Sequence, residues 1–128
     1  FGAITGLTIH SKRNEIYRAF LEGLSFRLHK GIEALEQAGG FKAEKIICVG
    51  GGSKNKLWNQ LRADVCNLPV HLIDQKETTV LGAALFVFAG SGISASPSAA
   101  RNNIDYKTEI VWPSDDREIY DKIYRMNE

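Results

Sequence analysis

Cysteine, an excess of one charge and long apolar runs are all scarce in this sequence. Two of its 128 residues are cysteines, Cys48 and Cys66, which is too few for a disulfide framework and indicates reduced thiols in a cytoplasmic protein. The 16 basic and 15 acidic residues leave a net charge of +1 without any basic block, so no nucleic-acid or membrane partner is expected. The longest apolar run, residues 80–90, is too short to cross a bilayer.

No signal peptide is visible in the sequence, which begins at Phe1 rather than at a methionine. Because residues 1–9 already have the pattern of a strand, we expect the chain to be the C-terminal piece of a longer protein, and a trimmed small protein is the alternative. A hydrophobic fraction of 44% and a charged fraction of 24% are ordinary for a globular domain with its own core.

Apolar periodicity predicts alternating strands and helices, which is the pattern of an α/β layered fold. A long helix is expected from a cap at Asn14 to about Ala38, where Gly39 and Gly40 end it. The other predicted elements are strands over 1–9, 45–49 and 69–73, helices over 55–66 and 78–89, and a short helix after Pro113. The strand over 45–49 and the helix over 78–89 are apolar throughout, so both are expected to be buried.

The segment 46–55 is the most informative part of the chain. A short apolar strand runs into Gly50-Gly51-Gly52, and a helix opens directly afterwards with Ser53 and Asn55. Glycines let backbone approach a ligand closely, and a helix start offers free N–H groups at the positive end of its dipole. The segment is therefore a candidate nucleotide-binding loop, with a purely structural turn as the alternative.

Other catalytic and phosphate-binding motifs do not fit. A Walker A loop needs a serine or threonine after its lysine, whereas Lys54 is followed by Asn55. A dinucleotide fingerprint needs a further glycine that is missing here. Asp64 lies on a helix beside the core stripe and is expected to be structural or solvated. The three histidines have no metal-ligand spacing, so no metal site is expected in the chain.

Longer stretches of the sequence resemble the FGGY family of carbohydrate kinases. The run GGGSKNKLWNQLRAD at 50–64 is similar to the adenosine motif of that family, and RAFLEG at 18–23 matches its long-helix pattern. Pro69-Val70, followed by ETTVLGAA at 77–84, is similar to the segment after the motif. The stretches 2–8 and 12–18 are most similar to members that phosphorylate L-fuculose.

This resemblance implies a fold like actin and hexokinase, in which two ribonuclease-H-like domains enclose a cleft. Residues 1–128 would be the C-terminal part of the second, nucleotide-binding domain, an incomplete α/β domain whose mixed sheet has flanking helices. The implied activity is ATP-dependent phosphorylation of a small ketose, L-fuculose to L-fuculose 1-phosphate, with Mg²⁺ bound to the ATP. Alternatives are a rhamnulokinase or xylulokinase of the same family, or a non-catalytic nucleotide-binding or oligomerisation module.

Only adenosine contacts are carried over from the family to this chain. Gly50 and Gly51 are expected to admit the nucleoside, Asn55 to hydrogen-bond it, and Gly52 and Ser53 to lie beside them; a positive φ is expected at Gly51. Three further residues are secondary candidates, with core packing or helix capping as their alternatives: Trp58, Thr78 and Thr79.

The family places its sugar site and catalytic base in the first domain, so no catalytic residue is expected here and the isolated chain should be inactive. The expected partners are ATP and a ketose. Self-association is also expected, because a strand over 1–9 would leave an unpaired apolar edge.

Overall fold

A computed structural model describes residues 2–73, 78–102 and 107–126. The helices are α1 (Arg13–Gly39), α2 (Lys56–Cys66), α3 (Thr78–Gly90), α4 (Pro97–Arg101) and α5 (Arg117–Met126). The strands are β1 (Ile46–Cys48), β2 (Val70–Ile73) and β3 (Thr108–Val111), and a 3₁₀ turn spans Gly51–Lys54. The predicted alternation of strands and helices is confirmed from β1 onward, and so is the short helix after Pro113.

Among the described residues, the strands form one mixed sheet in the order β1-β2-β3. β1 runs parallel to β2, with Ile46 opposite Val70, and β3 runs antiparallel to β2, with Val70 opposite Val111. The predicted mixed sheet is therefore confirmed. The predicted burial of β1 on both faces is wrong, because Ile47 in its middle is exposed. β3 was not expected, since four residues are too few for a clear periodicity.

The first residues of the chain do not form the predicted strand. Residues 2–8 have no regular secondary structure and precede a turn at 9–10, and Ile4, Leu7 and Ile9 are all exposed. A strand needs a hydrogen-bonded neighbour, and no strand in the described part of the chain pairs with this segment. The alternating pattern was therefore not sufficient to make a strand.

Helix α1 begins two residues earlier than predicted. Lys12 is the N-cap, and its backbone N–H donates to the Glu15 carboxylate at 2.9 Å. Asn14 lies inside the first turn, so its predicted role as the cap is wrong. The C-terminal end is as predicted, because Gly40 has a left-handed φ of 64° and its N–H donates to the Glu36 carbonyl.

The core lies where α1, α2 and α5 meet. It consists of Leu21, Leu61, Val65 and Tyr120, with Phe26 and Trp58 packed against it. Leu61 and Val65 are among the positions that the helical periodicity predicts. Leu57, also predicted to face the core, is exposed. The core therefore fastens α2, and with it the loop before α2, to the two flanking helices.

Helix α3 forms where predicted but is not buried within this chain. Val80, Phe86 and Val87 are 62%, 71% and 64% exposed. The helix packs on α4, which is too short to cover its whole circumference. The expectation of burial is therefore wrong for the chain as described. Among the described residues, no helix combines the length and the hydropathy needed to span a bilayer.

Candidate functional site

The glycine loop joins β1 to α2 through one turn of 3₁₀ helix. Gly50 has φ 79° and ψ −164°, a conformation that is essentially restricted to glycine. The Ser53 hydroxyl donates to the Gly50 carbonyl at 2.6 Å, and the Ser53 N–H donates to the same oxygen at 3.2 Å. Ser53 therefore closes the turn with its own hydrogen bonds.

The outer face of the loop is open at Gly50 and Gly51. A Cβ atom built on either residue would meet no heavy atom within 4 Å. Gly51 does not have the positive φ that was expected; that conformation belongs to Gly50. A Cβ on Gly52 would lie 3.5 Å from Arg62 Nη2 and 3.6 Å from the Trp58 ring. Gly50 and Gly51 thus present bare backbone outward, whereas Gly52 faces the protein.

Asn55 is the N-cap of α2. Its Oδ1 accepts the backbone N–H of Trp58 at 3.1 Å, and its Nδ2 donates to the hydroxyl of Tyr17 at 2.9 Å. A primary amide has two N–H donors, and the described residues supply an acceptor for one of them. The second N–H has no acceptor among the described residues, so it can donate to a ligand.

Two buried side chains of α2 support the loop from below. Asn59, which is 1% exposed, donates from Nδ2 to the Ser53 carbonyl at 2.7 Å. Its Oδ1 accepts from Arg62 Nη1 at 3.0 Å. The Arg62 guanidinium stacks on the ring of Trp58, so Trp58 has the packing role that was the alternative to an adenine contact.

Sequence reasoning missed Tyr17, Asn59 and Arg62. A signal for two of them exists, because Asn55, Asn59 and Arg62 recur at steps of four and three residues and so share one side of α2. Tyr17 has no local signal, since it lies 38 residues from its partner in the sequence.

The acidic candidate Asp64 has a structural role. It is 3% exposed, and its Oδ1 accepts the backbone N–H of Ser114 at 2.6 Å and the Gln60 amide at 3.0 Å. These bonds fasten the segment before α5 to α2. Of the two expectations for Asp64, a structural role or a solvated carboxylate, the structural role is confirmed. Within the described ranges, no three His, Cys, Asp or Glu side chains come together as a metal site would require.

The other candidates are only partly described. The side chains of Thr78 and Thr79 lie outside the described residues, so their place in the nucleotide site stays a prediction. Cys48 and Cys66 are free thiols, as expected. Burial raises the pKa of the Cys66 thiol to about 12, which leaves it protonated and unreactive near neutral pH.

Comparison with known proteins agrees with the resemblance seen in the sequence. The FGGY family of carbohydrate kinases, C-terminal domain, matches residues 1–90. The chain is 44% identical to L-fuculokinase of Haemophilus influenzae, over 88% of this chain and 24% of that protein. It is 42% identical to L-fuculokinase of Escherichia coli K12, over 92% of this chain and 25% of that protein.

A solved structure extends the similarity to the fold. The crystal structure of Plasmodium falciparum glycerol kinase with ADP matches 98% of this chain and 25% of its own, with a TM-score of 0.78 and 28% identity. The chain therefore has the actin-like α/β fold of the sugar kinases. It spans about a quarter of the length of the curated relatives that it matches.

Proposed function

This chain belongs to the FGGY family of carbohydrate kinases, and we propose that it is the C-terminal part of the nucleotide-binding domain of a cytoplasmic two-domain sugar kinase. That enzyme transfers the γ-phosphoryl group of ATP to a small ketose, with L-fuculose as substrate and L-fuculose 1-phosphate as product. Identities of 44% and 42% to proteins named L-fuculokinase support this choice of sugar.

The open loop from Gly50 to Asn55 is the observation that carries the proposal. Phosphoryl transfer depends mainly on positioning the nucleotide and on neutralising its charge. The bare backbone of Gly50 and Gly51 admits the nucleoside, and the free N–H of Asn55 donates to it. The ADP in the related glycerol kinase structure supports a nucleotide as the ligand of this fold.

Mg²⁺ is proposed to arrive with the triphosphate. When bound, it neutralises charge on the β- and γ-phosphates. The described part of this chain brings no set of three metal-ligating side chains together, so its own contribution is to hold and orient the nucleoside. The sugar site and the base that accepts the hydroxyl proton are assigned to the parts of the enzyme that lie outside this chain.

The test uses the full-length enzyme that contains this chain. Purified enzyme with Mg-ATP is assayed for ADP release with L-fuculose, L-rhamnulose and D-xylulose in turn. We expect the highest kcat/KM with L-fuculose, whereas preference for another ketose would reassign the substrate within the family. Nucleotide binding without phosphorylation of any ketose would favour a non-catalytic nucleotide-binding module instead.

The nucleotide site is tested separately by substituting Asn55. Asn55→Ala removes both the helix cap and the amide donors, whereas Asn55→Ser keeps a capping oxygen and removes only the donors. Each variant should bind ATP about three- to tenfold more weakly, the effect of one lost hydrogen bond, with ketose affinity unchanged. The control is Asn102→Ala, at the exposed end of α4. Unchanged ATP affinity in Asn55→Ser would remove Asn55 from the site.

A further inference from the structure

We propose that Tyr17 is a positioning residue for the nucleotide, because its hydroxyl sets the direction in which the free N–H of Asn55 points. The inference rests on the proposed function, since it requires that a nucleotide binds beside Asn55. Tyr17 lies outside the glycine loop and its helix, in the first turns of α1, and its hydroxyl accepts the Asn55 Nδ2 hydrogen bond at 2.9 Å.

The Tyr17 hydrogen bond is not needed to satisfy a buried group. Tyr17 is 51% exposed, so water could solvate its hydroxyl equally well, and an exposed hydrogen bond of this kind adds little to stability. Its effect is therefore expected in the orientation of Asn55.

The planarity of an amide makes this orientation specific. Oδ1 of Asn55 is held by the Trp58 N–H, and one Nδ2 hydrogen is held by Tyr17. The amide group is planar, so fixing these two atoms also fixes the second N–H, which points away from the phenol. Without the hydroxyl, the Oδ1 hydrogen bond alone restrains the amide, and its terminal torsion, which is broad for asparagine, varies more.

The α1 segment that carries Tyr17 is itself anchored to α5. Arg18, the next residue, donates from Nη2 to the Tyr120 hydroxyl at 2.9 Å and from Nε to the Glu22 carboxylate at 2.8 Å. The Tyr120 hydroxyl donates to the same Glu22 oxygen at 2.7 Å. Tyr17 therefore stands on a helix that is fastened immediately beside it, as a positioning residue requires.

The experiment measures ATP binding by titration calorimetry in the full-length protein that contains this chain, and does not depend on sugar phosphorylation. Tyr17→Phe should weaken ATP binding about threefold or more, with the melting temperature and the ketose affinity unchanged. Tyr124→Phe is the matched control, because it removes a hydroxyl that donates to the Glu33 carboxylate, further along α1 and away from Tyr17. It should leave ATP affinity near that of the unmodified protein.

A double-mutant cycle tests whether Tyr17 acts through Asn55. If it does, Tyr17→Phe combined with Asn55→Ser should bind ATP no more weakly than Asn55→Ser alone. If the losses of ATP affinity in the two single variants add up in the double variant, Tyr17 does not act through Asn55. The positioning role is also overturned if Asn55→Ser binds ATP more weakly while Tyr17→Phe binds it as tightly as the unmodified protein. Both outcomes leave the nucleotide site intact. Unchanged affinity in Asn55→Ser would overturn both the site and the positioning role.

Discussion

The guanidinium carbon of Arg62 lies 3.7 Å from the centroid of the Trp58 ring, and Arg62 is only 9% exposed. From this position its Nη1 donates to Asn59, which in turn donates to the Ser53 carbonyl. The underside of the glycine loop thus rests on a chain of contacts made by α2. The outer face of the loop is open at Gly51, where an added Cβ atom would meet no heavy atom within 4 Å.

Replacing Arg62 should destabilise the protein. Arg62→Met removes the cation–π contact with Trp58 and leaves the buried Oδ1 of Asn59 without its donor, which together cost about 1–3 kcal/mol of unfolding free energy. The measurement is urea unfolding of the full-length protein. The control is Arg125→Met, because Arg125 is 74% exposed in a surface pair with Asp121 and should change stability little. Equal losses in the two variants would contradict the supporting role of Arg62.

Alanine substitutions at the adjacent glycines of the loop should affect different properties, stability at Gly50 and ATP affinity at Gly51. Gly50→Ala forces a Cβ into the backbone conformation at φ 79° and should cost about 1–3 kcal/mol of stability. Gly51→Ala has open space and no positive φ, so it should leave stability nearly unchanged and weaken ATP binding by blocking the approach of the nucleoside. Urea midpoints and ATP dissociation constants separate the two effects. A stable Gly51→Ala variant with full ATP affinity would argue against contact at this position.

Burial of Cys66 should make stability fall at alkaline pH. Desolvation raises its pKa from 9.0 to about 12, so between these values the thiol ionises in the unfolded chain but stays protonated in the folded one. The folded state then binds more protons, and the free energy of unfolding decreases as pH rises from 9 to 12. Between about pH 8 and pH 10, the free energy of unfolding measured in urea should therefore fall less in Cys66→Ala than in the unmodified protein. Cys48→Ala is the matched control, and the same pH dependence in both variants would be against the prediction.

The exposed side of α3 should make the isolated 128-residue chain self-associate. Self-association was expected from a strand over residues 1–9, but residues 2–9 form no strand, and the apolar surface at Val80, Phe86 and Val87 provides the cause instead. Sedimentation velocity at tens of micromolar should detect oligomers. Phe86→Glu combined with Val87→Glu should shift the population toward monomer, whereas Asn102→Glu should not. A stable monomer of the unmodified chain under these conditions would contradict the prediction.

Much of the fold could be predicted because its signals are local. The periodicity of Leu61 and Val65 indicated the buried side of α2, and the glycines after Ala38 indicated the end of α1. The glycine loop between β1 and α2 was also predicted, because glycine and capping residues act within a few positions of where they stand. The site candidates Gly50, Gly51 and Asn55 follow from that local pattern and from the family resemblance.

The tertiary structure alone decided which distant residues complete the loop. The hydrogen bond between Tyr17 and Asn55 joins α1 to the N-cap of α2 across 38 residues. Strand β3 likewise depends on a distant partner, since it pairs with β2 and places Val111 opposite Val70. A strand pattern over 1–9 failed for the same reason, since a strand depends on a partner that its own sequence does not specify. Periodicity marked α3 as apolar on every side, but the exposure of Phe86 was set by what packs against the helix.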